Sequence, residues 1–451
     1  MDPDPELDYR FGWRWLLPVT AGDKVLLLGF SDGELIFWRR ILAEASITTD
    51  PGAATVLLLK DLSPDHRIVQ ACPRLDVLCA IGPGSMVAAW RRRLAGRFAR
   101  ISDFALLPAD RPRVVVPLGE SGPLVQGLGL HRPGRRTARL ALAIGTLLAR
   151  FGVDRPLRTR TLCILIRVAD ERRQAGLWQA GRHLCNGDAG GRYALYLGTP
   201  DAHRKTVVLP VGGRPECILK IGESIKAREA LHNEMTALQT MSRTSLAPSV
   251  PRILGADIGD GFIALSQEYR ARKAAMQSAI RTKAVEFLIA LARIDAGQRP
   301  AGEILAPYRH RLDDPVDGID QQKYAARRKF LDGAVDSDVM IAGSRSHGDF
   351  APWNCALTDQ GFFVYDWEDS CDWDVALGDA FFFATAAAAY VQRRPDLERV
   401  ENAAFSLAAE AAQGAGVERD KIRFYWNLWL LRMVRRKDAP LYRQLLENAM
   451  N

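Results

Sequence analysis

Long apolar runs are missing from this 451-residue chain. None reaches the roughly 18–20 residues that a membrane span needs. The best stretch, Leu140 to Leu148, is short and stands between Arg139 and Arg150. The opening MDPDPELDYR is acidic with no apolar segment behind it, so no signal peptide is expected. Cysteine is scarce and odd in number: seven, scattered, with no CxxC pair. That speaks against a disulfide framework or a zinc site and predicts a reducing, cytoplasmic setting. There is no repeat, no low-complexity tract and no basic run interleaved with aromatics, so no nucleic-acid partner is expected.

What is present is ordinary for a globular protein: 48% apolar and 25% charged residues, in a chain long enough for two or three cores. The net charge of +8 is uneven. Residues 1–160 carry 23 Lys and Arg against 16 Asp and Glu, a surplus of seven, and the remainder carries 38 against 37. The surplus suits an anionic partner or a membrane surface, and equally a solvated arginine-rich face.

Along residues 24–118, apolar runs (Lys24–Phe30, Thr55–Leu59, Asp76–Ile81, Val114–Leu118) alternate with helical stretches (Gly33–Ala43, Ser85–Ala95). This βαβ rhythm predicts a small α/β domain over 1–155. Residues 156–192, rich in Arg and Gly, read as a connection holding one strand, LCILIRV. Three short strands follow at Tyr193–Gly198, Lys205–Leu209 and Cys217–Ile221, then a helix at Ser224–Met241 and a strand at Ile263–Tyr269. Beyond about Thr282 the chain reads as helical except at Ser346–Trp367. Sheet first and helices after predict a bilobal α+β arrangement: an N-lobe at 193–269 and a helical C-lobe at 270–451.

The strongest signal is SHGDFAPWN, followed by CALTDQGFFVYDWED. Phosphoryl transfer needs an in-line nucleophile, a carboxylate to orient it and take its proton, and oxygens to hold Mg²⁺ on the phosphates. Asp349 and Asn354 lie five apart in a proline-containing segment unsuited to a regular helix. One side chain is then expected to face the acceptor and the other a metal. Asp366 ends a hairpin turning at Asp359-Gln360-Gly361, and with Asn354 it makes a hard-oxygen Mg²⁺ pair. His347 is expected to hold the loop by bonding backbone, and Trp353 to shape it.

A kinase-type site also needs a Lys for the α/β-phosphates and a Glu to position it. Lys220 stands among apolar neighbours in CILKI. Glu234 shares a helix face with Leu231, Met235, Leu238 and Met241, where an unpaired carboxylate is costly, so the two are expected to pair. Gly198 and Thr199 form the candidate phosphate-covering loop, with ordinary hairpin chemistry as the competing explanation. The segment Gln267 to Tyr269 is expected to offer backbone groups to adenine. The clustered Asp366, Glu368, Asp369, Asp372, Asp374 and Asp379 suit either a cationic or sugar-like acceptor or structural capping, the second better for most of them.

HGDFAPWN followed by YDWED resembles the aminoglycoside phosphotransferase and choline kinase family, the small-molecule branch of the protein-kinase-like fold. The resemblance covers roughly Tyr193 to the C-terminus. It implies Asp349 as the catalytic base, Asn354 and Asp366 on Mg²⁺, Lys220 and Glu234 as the phosphate pair, and ATP as cofactor. It further implies one later Asp that steadies the loop, a role either Asp374 or Asp379 would fit. The phosphate loop, short of glycine, departs from the pattern. At the N-terminus KVLLLGFSDGEL weakly resembles the first strand–turn–helix of Rossmann-like methyltransferases, with an incomplete glycine pattern. The expectation is therefore an ATP- and Mg²⁺-dependent kinase acting on the hydroxyl of a small molecule, preceded by a degenerate Rossmann-like domain. The rival readings are a silent nucleotide-binding regulator and a methyltransferase with a kinase-like appendage.

Overall fold

The apolar runs near the N-terminus lack strict alternation, which marks strands buried on both faces. In the computed structural model they are. It describes residues 10–42, 45–109, 111–130, 136–167, 192–198, 201–213, 215–259, 261–304, 339–390, 392, 395–436 and 440–448. The chain divides into two compact units, Met1–Leu231 with Ile253–Tyr269 and His232–Arg252 with Arg270–Asn451.

The first unit carries β1 (Lys24–Leu28), β2 (Ser46–Ile47), β3 (Val56–Lys60), β4 (Val77–Pro83), β5 (Arg100–Leu107), β6 (Val114–Pro117), β7 (Arg160–Ile166), β8 (Tyr193–Tyr196), β9 (Lys205–Pro210), β10 (Cys217–Gly222), β11 (Ile253–Ile258) and β12 (Ile263–Glu268). All twelve join one sheet, in the order β11-β12-β10-β9-β8-β6-β5-β7-β4-β3-β1-β2. β2, β1, β3 and β4 are mutually parallel, as the βαβ rhythm predicts; from β4–β7 onward every pairing is antiparallel.

Successive residues of the parallel strands feed two cores. Val25, Leu27, Val56, Leu58, Val77 and Cys79 meet Phe11, Trp13, Phe37 and Trp38 on one face. Leu26, Leu57, Leu59, Leu78 and Ala80 meet Val87 and Trp90 on the other. The strand expected at LCILIRV forms as β7 and lies in the sheet interior between β4 and β5. β6 then pairs with β8, Val114 opposite Tyr196 and Val115 opposite Leu195. The boundaries read from the sequence at 155 and 193 thus fall inside one hydrogen-bonded sheet. Backbone ladders leave no compositional mark.

In the second unit the described helices are the end of Ile225–Met241 from His232 on, Gln277–Leu291, Gly378–Tyr390, Leu397–Ala412, Ile422–Arg436 and Pro440–Asn448. Its strands are β13 (Gly297–Pro300), β14 (Met340–Ser346), β15 (Cys355–Thr358), β16 (Gly361–Val364) and β17 (Cys371–Val375). β15 and β16 make the expected hairpin, with Gly361 at φ +111° in its turn. The antiparallel sheet β13-β14-β17 was not foreseen. Its central strand, MIAGSRS, is built of small and polar residues with little strand propensity. Among the described residues no helix is long and apolar enough to cross a membrane.

One buried ion pair ties the start of the sheet together. Glu34, in the first turn of the helix after β1, receives the Ser31 N–H at 2.9 Å and Lys60 Nζ at 2.6 and 2.8 Å. Burial alone would raise its carboxyl, but Lys60 and Ser31 outweigh that and hold it below its ordinary value of 4.5. A depressed folded pKa adds stability above the unfolded value and loses it as pH falls through the folded one. Glu34→Gln is expected to lower stability by about 1–2 kcal/mol at neutral pH. In denaturant titrations the gap to wild type should close as pH drops below 4.5; a gap constant with pH would contradict the assignment.

Candidate active site

The sequence SRSHGDFAPWN leaves β14 at Ser346 and turns sharply. Gly348 makes the turn at φ +79°, and a Cβ there would stand 2.1 Å from the Asp369 carbonyl oxygen. Only glycine fits both the angle and the approach. The turn is fixed from the helix Gly378–Tyr390. Asp379 accepts the N–H of His347 at 2.7 Å and of Gly348 at 2.9 Å. Burial pushes the Asp379 carboxyl up, while the N–H donors of His347 and Gly348 pull it back toward ionisation.

A closed circuit of hydrogen bonds follows. His347, wholly buried, bonds the Tyr365 carbonyl through Nε2 at 2.8 Å. A carbonyl only accepts, so Nε2 carries the proton and Nδ1 accepts the Asp349 N–H at 3.2 Å. Tyr365 N–H reaches the Asn354 carbonyl at 2.8 Å. The Asn354 amide nitrogen donates to the Asp349 carbonyl at 2.9 Å and to its Oδ2 at 3.0 Å. Four residues of the motif and its hairpin are thereby locked to one another. Both His347 nitrogens are used, which matches the loop-holding role expected from the sequence.

Asp366 follows Tyr365, one residue beyond the rung that binds Asn354. It takes φ 64°, ψ 64°, a left-handed conformation uncommon for a residue with a side chain. Such outliers persist where surroundings over-determine them and concentrate at functional loops. Here the surroundings are plain. Trp367, fully buried, lies 4.7 Å from the His347 ring and donates its indole N–H to the Val364 carbonyl at 3.1 Å. Its backbone N–H points at Glu234 Oε1, 3.3 Å away. Asn233, next to Glu234, donates to the carbonyls of Glu368 and Ser370 at 2.7 and 2.9 Å.

With its amide hydrogens turned to Asp349, Asn354 has its side-chain oxygen as the end suited to a cation. Asp366 supplies a carboxylate at the neighbouring backbone position. One amide oxygen and one carboxylate fit Mg²⁺, which takes few protein ligands and completes its shell with phosphate and water oxygens. Among the described residues no group of three or more His, Cys, Asp and Glu stands ready to hold a metal by itself.

Asp372, Asp374 and Asp379 make structural contacts, the role the sequence favoured for most of the clustered acids. Asp374 pairs with Arg432, and Asp372 with the buried Arg345 at 2.6 Å, which also holds Asp295 at 2.9 Å. Of the two candidates for the loop-steadying Asp, Asp379 makes the backbone contacts and Asp374 does not. Arg345 escaped the sequence reading. Its signal was a lone charge in a strand of small residues leading into the motif.

In the first unit, Lys220 and Gln267 share one face of the sheet, because Lys220 pairs with Leu265 and Ile218 with Gln267 across β10 and β12. The Gln267 side-chain nitrogen is buried with no hydrogen-bond partner. The Tyr269 N–H, expected to be open to adenine, is taken by the Glu216 carbonyl at 2.8 Å, because the ladder runs one residue further than the apolar pattern. Gly198 turns at φ +70° and ends the strand early. Thr199 lies outside the described residues.

Residues 201–415 match the model of the phosphotransferase enzyme family. The matched segment is similar to that family. It contains Lys220, Glu234, Gln267, Tyr269, Asp349, Asn354 and Asp366, while Gly198 and Thr199 precede it. No curated protein matches the chain. Among solved structures it is similar to a Haemophilus somnus 129PT protein assigned as a fructosamine-3-kinase, at 15% identity and a TM-score of 0.37 over 61% of this chain and 96% of that one. It is also similar to an aminoglycoside phosphotransferase of Streptomyces rimosus, at 15% identity and a TM-score of 0.35 over 58% and 94%. A third, an aminoglycoside phosphotransferase solved with streptomycin and ATP, shows 12% identity and a TM-score of 0.37 over 54% and 84%. At these values the structural likeness adds nothing to the phosphotransferase match.

Asp379→Asn puts an amide where two N–H groups need an acceptor. Exchange of the His347 and Gly348 amides, followed by hydrogen exchange, should speed up about tenfold or more. Asp374→Asn, which touches only Arg432 and its own strand, should leave those two amides protected.

Proposed function

We propose that the protein is an ATP- and Mg²⁺-dependent phosphotransferase that moves the γ-phosphoryl group to a hydroxyl of a small molecule. The observation that carries this reading is the bond from the Asn354 amide to Asp349 Oδ2 at 3.0 Å. It fixes one oxygen of a half-buried carboxylate and leaves the amide oxygen of the same Asn354 as the end suited to a metal. One side chain thereby supports both a base and a metal ligand in this reading.

In this reading Asp349 orients the acceptor hydroxyl and takes its proton as the oxygen bonds to the γ-phosphorus and the bond to the bridging oxygen breaks. Asn354 and Asp366 hold Mg²⁺, which when bound draws charge from the phosphate oxygens. Lys220 binds the α- and β-phosphates and Glu234 is its positioning partner. Glu234 has a second task, holding the Trp367 N–H beside Asp366. Gly198 and Thr199 cover the phosphates. Gln267 and Tyr269 meet the adenine, Tyr269 through its carbonyl since its N–H is taken. The aminoglycoside, sugar-amine and related acceptors of the similar proteins define the acceptor class to screen first.

Asp349→Asn should lower turnover by about a thousandfold with nucleotide affinity nearly unchanged. ADP release measured against a panel of hydroxylated amines and sugars, with calorimetry for binding, separates the outcomes. Unchanged turnover in the variant would sink the assignment. Tight ATP binding by wild type, with no transfer to any acceptor, would favour the silent regulator.

A further inference from the structure

One helix of the first unit is apolar on the side away from its core. The helix Arg136–Arg150 is anchored inward by Leu142 and Ala149, which pack with Leu124, Leu128 and Val116, and by Gly145 against Leu157. On the opposite side Leu140, Ile144 and Leu147 are 63%, 50% and 53% exposed, and Phe151 and Val153 just beyond are 78% and 42% exposed. Spacings of four, three and four residues put 140, 144, 147 and 151 in one narrow stripe. Isolated exposed leucines need no explanation; a continuous stripe of five large apolar residues does.

We propose that this stripe docks on an anionic lipid surface. The charge around it selects that occupant. Residues 136–150 contain Arg136, Arg139 and Arg150 and no acidic residue. The nearest acid, Asp154, is already committed to Arg158 at 3.0 and 2.7 Å. At 100° per residue Arg139 and Arg150, both exposed, fall on one flank of the stripe. Their heads can reach lipid phosphates while the apolar side chains enter the acyl boundary. A second copy of the chain is a poorer occupant: stripe-to-stripe pairing would bring like-charged flanks together with no carboxylate to neutralise them. The surplus of seven positive charges in residues 1–160 adds long-range attraction to the same surface.

The test is co-sedimentation of the full chain with vesicles of phosphatidylcholine alone and of phosphatidylcholine with phosphatidylglycerol. The chain should sediment with the mixed vesicles, not the neutral ones, and less as salt is added. The double variant L147Q/F151Q should bind about tenfold more weakly or worse, with thermal unfolding unchanged. If that variant unfolds early, R139Q/R150Q, which leaves the packing untouched, decides through the same loss. Wild type left in the supernatant with both vesicles, or either variant binding mixed vesicles as wild type does, overturns the proposal. So does a wild-type dimer in solution that L147Q/F151Q converts to monomer without vesicle binding, since the stripe then belongs to a second copy.

Discussion

A single buried carboxylate, that of Asp379, carries the geometry of the candidate site. The loop of HGD would otherwise present two backbone N–H groups to an interior lined by Phe350 and Trp367. Burying an ionisable group is costly, and here the cost is offset by the two donors it satisfies. Once the turn at Gly348 is pinned, His347 reaches Tyr365, the hairpin aligns Asn354, and Asn354 sets the Asp349 carboxylate. The circuit is cooperative in the sense that each bond presupposes the last. It explains why so many polar residues sit close together in a part of the chain that is otherwise aromatic.

Much of this was legible in the sequence because the chemistry is local. HGDFAPWN and the hairpin after it fall within twenty residues, and the turn at Asp359-Gln360-Gly361 announces itself. The choice between Asp374 and Asp379 was not legible. Both acids lie in the same short stretch, and only the helix start at Gly378 decides which one faces the loop. Arg345 and its two carboxylates were hidden for a similar reason: Asp295 is fifty residues away, and no periodicity links it to β14. The double duty of Glu234, buried and bonded to the Trp367 backbone, was half visible, since a carboxylate on an apolar face demands a partner without naming it.

The first unit taught a different lesson. Its parallel strands were readable because burial on both faces leaves uninterrupted apolar runs. β5 was not, because Arg100 and Asp103 break the pattern and Asp103 finds its partner in Arg91 at 2.6 Å. β11 alternates half-buried and exposed residues and is short of β-branched ones, so the apolar pattern did not mark it. The Gly-rich and Arg-rich composition of 156–192 suggested a connection with one strand, and that strand, β7, joins the parallel and antiparallel parts of the sheet.

That joining bears on modularity. The family segment begins at residue 201, and β8 lies just ahead of it with its outer backbone groups bonded to β6. Excising the chain up to residue 192 would strip β8 of this neighbour and leave a raw strand edge, the feature that invites intermolecular pairing and aggregation. β6 thus covers an edge of the strands that lead into the matched segment, and a cut at either boundary read from the sequence would expose it.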